Sequence, residues 1–307
     1  LENDLKKRRV AALSVASNTT LVVLKIIVGL AIGSISVISE AIHSGVDLLA
    51  AFIALGAVIH SGRPADREHP YGHGKIENIS GVVEALLIFL AAGWIIFEAI
   101  KKLLHPMPLD ATTWGIVVMA GSAFMNIMVS RALFKVGKET ESIALQADAW
   151  HLRTDVWTSF GVMSGLAIIM VGRLLFPGIN IDWLDPVAAC TVALLIVKAA
   201  WELTVQSFHD LMDESLPPKE VETVLEVINS MCPDLHGYHA LKTRKSGSNR
   251  FVEVHVLVDP EMSVEHSHAL TDKITDRIRG RLKGTRVMVH VEPDDGSRAH
   301  NDPKPSK

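Results

Sequence analysis

The chain has 307 residues, of which 49% are hydrophobic, a formal net charge of −4 and a mean hydropathy of +0.28. A positive mean at this length argues against an ordinary soluble protein, and the mild acidity without a basic stripe argues against a nucleic-acid binder. The two cysteines, Cys190 and Cys232, form neither a CxxC pair nor a disulfide framework. Apolar residues crowd into 10–206, whereas 213–307 has the composition of a soluble domain, so a membrane part precedes a globular part.

In chain order, the first apolar run follows Lys6, Lys7, Arg8 and Arg9. It is too long for the core of a signal peptide and leads to no small-residue cleavage site, so it reads as a retained transmembrane helix. A span needs about 20 mainly apolar residues, and six segments qualify, at about 10–32, 35–59, 79–103, 112–136, 142–172 and 184–206. Glycine- and proline-containing breaks fall at Gly33, 63–74, 105–108 and 176–178. An even number of spans puts both termini on one side. Lys6, Lys7, Arg8, Arg9, Arg63, Arg67, Lys75, Arg131, Lys135 and Lys138 flank the spans on the N-terminal side, against Lys101, Lys102 and Arg173 on the other. The positive-inside rule therefore places the N-terminus, the 60–78 loop and the C-terminal domain in the cytoplasm, with the chain in the cell membrane. The organisation expected is a six-helix transmembrane domain over 1–208, a cytoplasmic metal-binding domain over 209–293 and a disordered tail over 294–307.

Charged side chains inside a span are expensive and call for a reason. The second span holds His43 and Asp47, and the fifth holds His151 and Asp155, both as H-x-x-x-D. Residues i and i+4 share a helix face, so each helix can offer one imidazole and one carboxylate to a single point. Two such faces opposed give two nitrogens and two oxygens, the donor set of a tetrahedral Zn²⁺. Two ionised aspartates and two neutral histidines also carry the charge that a divalent cation cancels. One such motif alone would suit polar residues bonded within a helical bundle; two copies in separate spans favour metal. Without metal the site would take up protons, on Asp, on His or on both, and metal binding would release them, which is the chemistry of a metal/proton antiporter. Asp148, near the second motif, can help at an entrance. Lys25, Glu40, Glu84, Glu98, Lys198 and Glu202 suit interhelical pairing or snorkelling.

Asp66, His69 and His73 share the loop after the second span, where Pro70 and Gly72 argue against a regular helix. Three ligand types within eight residues suit a metal that keeps one open position. In the C-terminal part, Val221, Val224, Leu225 and Ile228 have helical spacing over 217–231. A strand over about 237–244 and a turn at 246–249 follow. Then Val252, Val254, Val256 and Val258 alternate with Glu253, His255 and Leu257. Ser263 can cap a helix to about 282, and a last strand alternates through Val287, Val289 and Val291. The order αββαβ makes a small α/β sandwich in which His290 and Glu292 share a strand face. Eight of the fourteen histidines follow residue 208.

The six spans, the paired H-x-x-x-D motifs, the loop from Pro64 to Glu77 and the tail domain closely resemble the cation diffusion facilitator family, over nearly the whole chain to about residue 293. The resemblance implies a homodimeric exporter driven by the proton gradient, a secondary transporter and not an enzyme. It implies a transport site at His43, Asp47, His151 and Asp155, a form associated with zinc preference. It implies a second site at Asp66, His69 and His73 and a ferredoxin-like tail domain with a binuclear site at His239, His255, His268, His290 and Glu292. There the usual bridging Asp is replaced by the longer Glu292, and His236 and His266 are close enough to substitute. Lys75 and Asp213 match positions that pair between subunits as a hinge. The absence of a long His-rich loop between the fourth and fifth spans resembles the bacterial members. The same fold exporting Fe²⁺, Co²⁺, Mn²⁺, Ni²⁺ or Cd²⁺ is the alternative. An intramembrane metalloprotease is disfavoured because no H-E-x-x-H occurs.

Overall fold

The computed structural model describes residues 2–33, 35–104, 113–175 and 183–296, and the chain divides into two compact units, Leu1–Phe208 and His209–Lys307. The breaks expected at 105–108 and 176–178, and residues 297–307 of the expected tail, lie outside the described residues.

The first unit is built from α1 (Glu2–Ile32), α2 (Ile35–Ser61), α3 (Lys75–Leu104), α4 (Thr113–Glu139), α5 (Ile143–Leu175) and α6 (Leu184–Leu211). Each of the six apolar segments lies in one helix, and most of the helices run several residues past it. The 27 residues of α2 reach about 40 Å at ~1.5 Å per residue, enough to cross a hydrocarbon core of ~30 Å. The largest difference from the sequence reading is at α1, which begins eight residues before the apolar run. Glu2 and Lys6 form an i,i+4 ion pair at 2.8 Å there, and Lys7 turns inward rather than to water. Among the described residues, four stretches are long and apolar enough to cross a membrane: Glu2–Ala31, Ala41–Ser61, Lys75–Leu104 and Pro186–Leu211. Helices α4 and α5 carry more polar groups, Asn126, Ser130, Arg131 and Lys135 on one and Asp148, His151, Arg153 and Asp155 on the other.

Small side chains set the packing. Ala11, Ala57, Ala144 and Ala149 bury with Val58, Val129, Leu133, Leu145 and Leu152, and Ala85, Ala92, Ala147 and Ala200 bury with Ile88, Ile196 and Leu203. Without a hydrophobic drive between helices in lipid, such residues let backbones approach and gain dispersion contact. At Gly81 of α3 a Cβ would sit 2.5 Å from Ser207 Oγ and 2.8 Å from Ile143 Cγ2, so α3, α5 and α6 meet where only glycine fits. Leu30, Ile42, Leu90, Trp94, Leu194 and Trp201 point outward, an apolar exterior suited to lipid. Near the helix ends that carry the N-terminus, Glu77 of α3 accepts from Lys7 Nζ at 2.9 Å, Ser61 Oγ at 2.8 Å and Ser142 Oγ at 2.5 Å. One buried carboxylate thus ties together α1, α2, α3 and the start of α5.

The second unit follows the expected αββαβ order: α7 (Pro218–Asn229), β1 (Gly237–Ser246), β2 (Asn249–Val258), α8 (Val264–Arg281) and β3 (Thr285–Pro293). The sheet order is β1-β2-β3, with β1 and β2 an antiparallel hairpin and β2 and β3 parallel across α8. Ser263 caps α8 by accepting from the His266 amide at 3.2 Å. Val252, Val254, Val256 and Val258 bury with Val224, Val227 and Ile228 of α7 and Leu270, Ile274 and Ile278 of α8. Both helices therefore cover one face of the sheet. His239, His255 and His290, paired side by side in the register, stand on the other. The register shifts between His239 and Lys242, where Ala240 takes φ +52, so β1 bends just past its histidine.

Candidate metal sites

The i,i+4 spacing on α2 and α5 brings both H-x-x-x-D pairs to one place. His151 Nε2 lies 3.2 Å from Asp47 Oδ1, and His43 Nε2 lies 3.8 Å from Asp155 Oδ1. Ligand atoms of His43, Asp47 and Asp155 all fall within 4.8 Å of one another. A tetrahedral zinc with bonds of about 2.0–2.1 Å sets its donors about 3.3 Å apart, so the His151–Asp47 spacing already matches and the remaining donors must draw closer. Asp47 and His151 are buried, and His43 is half-exposed. Asp155 Oδ2 and His151 Nδ1 are buried without a hydrogen-bond partner among the described residues. A cation would supply what such carboxylate oxygens lack.

The loop after α2 gathers its own cluster. Asp66, His69 and His73 offer ligand atoms within 4.8 Å of one another, with His73 Nε2 3.4 Å from Asp66 Oδ2 and His69 Nδ1 3.6 Å from Asp66 Oδ1. As expected, the segment is not helical. It closes on itself through Gly72 N donating to His69 O at 2.9 Å, with Gly72 at φ +91. Asp66 Oδ1 accepts from the His69 and Glu68 amides at 2.7 and 3.0 Å. The His69 amide holds the Asp66 carboxyl below the ordinary carboxylate value, and the charge of His73 adds to this. The ionised, acceptor-only form of Asp66 is thereby favoured beside His69 and His73.

On the open face of the second unit, Glu292 reaches across the sheet. Its Oε2 lies 3.2 Å from His239 Nε2, and its Oε1 lies 2.9 Å from His255 Nδ1 and 3.5 Å from His290 Nε2. The three imidazoles lie against one another, His239 and His255 T-shaped with centroids 5.0 Å apart and His255 and His290 tilted at 4.7 Å. The longer glutamate arm thus meets all three strand histidines. His268 is not brought to this cluster within one chain. It sits on α8, which covers the opposite face, and is exposed beside Asp272 at 3.7 Å. His236 turns instead to Asp294 at 3.0 Å, and His266 is exposed in the first turn of α8. Lys75 opens α3, while Asp213 pairs with Arg244 of its own unit at 3.2 Å.

Three further residues find their surroundings. Arg153, two residues after His151, lies over the Phe134 and Trp150 rings at 5.5 and 5.7 Å. Lys25 donates to Ser44 Oγ at 2.8 Å, an interhelical bond beside His43. The Glu77 junction was missed. Its only sequence signal is a charge at the first turn of an apolar helix, which reads as an ordinary N-terminal acid.

The family model described as the cation efflux transmembrane domain matches residues 11–212, and that described as the cation efflux protein cytoplasmic domain matches 216–294. The chain belongs to the cation efflux family. It is 37% identical to the uncharacterized transporter sll1263 of Synechocystis over 85% of this chain and 82% of the relative. It is 28% identical to the cation-efflux pump FieF of Klebsiella pneumoniae over 93% and 92%. A zinc-form structure of the putative zinc transporter CzrB is 35% identical over 28% of this chain and 98% of that chain, with a TM-score of 0.25. Cation efflux, or cation diffusion facilitator, proteins are membrane transporters of divalent metal cations rather than enzymes, and so is this chain.

Proposed function

We propose that this chain exports Zn²⁺ in exchange for protons, with His43, Asp47, His151 and Asp155 as the transport site. One observation carries the reading: two imidazoles and two carboxylates from α2 and α5 converge among helices whose exteriors are apolar. Nitrogen and oxygen donors in equal number suit zinc better than the oxygen-preferring Mn²⁺ or the softer Cd²⁺. The charge balance supplies the coupling. With zinc bound the site is neutral, and when the ion leaves, protons restore neutrality, so each crossing of metal one way accompanies protons the other way.

The clusters at Asp66, His69 and His73 and at His239, His255, His290 and Glu292 hold regulatory zinc in this reading. The latter, without His268, lies with the N-terminus on the cytoplasmic side of the inner membrane. Two copies form the working unit, with Lys75 and Asp213 as a hinge between subunits. A surface ion pair contributes little by itself, so the hinge matters only where the seam between subunits shields it.

Proteoliposomes loaded with a pH indicator and presented with zinc test the central claim. Zinc entry accompanied by proton exit, accelerated by an opposing pH gradient, is the expected result. Zinc movement indifferent to the gradient removes the antiport reading.

A further inference from the structure

Polar side chains continue from the transport site toward the ends of α3 and α5 that hold Glu77 and Ser142. On α1, Lys7, Ser14, Asn18 and Lys25 fall at intervals of seven, four and seven, one face of a helix, and all four are buried. On α3, Glu77, Ser80 and Glu84 share a face, and on α5 so do Asp148, His151 and Asp155. Asp148 lies one turn from His151, on the Ser142 side. Glu84 is two turns into α3, and its neighbour Ala85 buries in one cluster with Ala147, the neighbour of Asp148 on α5.

These groups are buried yet incompletely bonded. Glu84, Asp148 and Ser14 have no solvent exposure, and Asn18 has 1%. Both oxygens of Asp148, Oε2 of Glu84, Oγ of Ser14 and Nδ2 of Asn18 have no hydrogen-bond partner among the described residues. Ser14 lies one turn along α1 from Ala11, which buries with Ala144 and Ala149 of the helix that carries Asp148, and the one bond Glu84 receives among the described residues is a long one from Ser80 Oγ at 3.4 Å. Packed interiors rarely leave so many oxygens unmatched at one place, and two buried carboxylates with no cation are expensive. A divalent cation neutralises both and satisfies the open oxygens, and an all-oxygen set of this kind binds it less selectively than the imidazole site.

We infer that Glu84 and Asp148, with Ser14, form a second intramembrane cation station that receives the divalent ion from the side of Glu77 and passes it to Asp47 and His151. This inference rests on the transport reading above, and it makes the two carboxylates determinants of capture rather than of selectivity.

Zinc uptake by everted membrane vesicles, in which added zinc meets that side, is the test. Glu84→Gln and Asp148→Asn are each expected to raise the half-saturating zinc concentration about tenfold, with a much smaller loss of maximal rate, as partial loss of a metal's polar surroundings does elsewhere. Glu84→Asp should recover part of the difference. Unchanged half-saturation in both variants, or a lower maximal rate alone, overturns the station and leaves a structural role. If one variant fails to accumulate, the other decides. If neither does, Ser14→Ala decides, and half-saturation equal to that of the unaltered protein then counts against the station. Asp155→Ala runs alongside. If it is silent while Glu84→Gln behaves as the unaltered protein, only this inference fails; if it transports normally, the transport reading fails first.

Discussion

Replacing Asp47 with asparagine is expected to lower zinc transport more than about a hundredfold while leaving the folded protein intact. Weakening an outer partner of a metal site already costs about 10–100-fold in affinity or activity, and Asp47 is proposed as a direct ligand. Asparagine keeps the shape of the carboxylate but removes its charge. The vacated site then carries one negative charge against a divalent ion, and charge neutrality in the loaded state is lost. The change also strikes His151, whose Nε2 lies 3.2 Å from Asp47 Oδ1. With asparagine there, the amide group facing that nitrogen is a weaker orienting partner. Flux in proteoliposomes at saturating zinc, together with thermal melting in detergent, checks the expectation. Full flux would exclude Asp47 from the path of the ion, and loss of flux with collapsed melting would assign it to the fold.

That site was legible from the sequence because its chemistry repeats. His43 with Asp47 and His151 with Asp155 have the same spacing in segments otherwise apolar, and helical geometry alone decides that each pair shares a face. The six helices were legible for a related reason, since apolar runs of span length are rare outside membranes. Helix ends were less so. At Lys6 to Arg9 composition marks the apolar edge, whereas the backbone stays helical because Glu2 pairs with Lys6 and Lys7 finds Glu77. The tail cluster was legible strand by strand through alternation, which put His290 with Glu292. Only the register could show His239, His255 and His290 abreast. His268 marks the limit. Its position on a helix is evident from sequence, but which sheet face that helix covers depends on packing against Leu270, Ile274 and Ile278. Partners far apart in the chain, such as Lys7 with Glu77 or Arg153 with Phe134, leave no periodic trace at all.

The same blindness to distant partners hides a buried junction that ties together four helices of the first unit. Lys7 and Glu77 are 3% and 1% exposed, and two serine hydroxyls, from Ser61 and Ser142, complete the glutamate's bonds. Removing one member of a buried pair typically costs about 3–5 kcal/mol, because the survivor is left charged in a medium that solvates it poorly. Glu77→Ala leaves Lys7, among the described residues, only Asp4, at 3.8 Å, and takes the shared acceptor from two hydroxyls, so its effect belongs within this range. At about 2–4 °C per kcal/mol for a unit of this size, the melting midpoint should fall by roughly 10 °C or more. Lys7→Met alone should be milder, since the serines still bond the carboxylate. Combining Lys7→Met with Glu77→Leu should recover much of the loss, because the replacement of both charges by apolar groups removes the desolvation penalty along with the attraction. Melting of the three variants in detergent gives the comparison. A double variant no better than Glu77→Ala would mean that the serine bonds, rather than the ion pair, hold α1, α2, α3 and α5 together at this end.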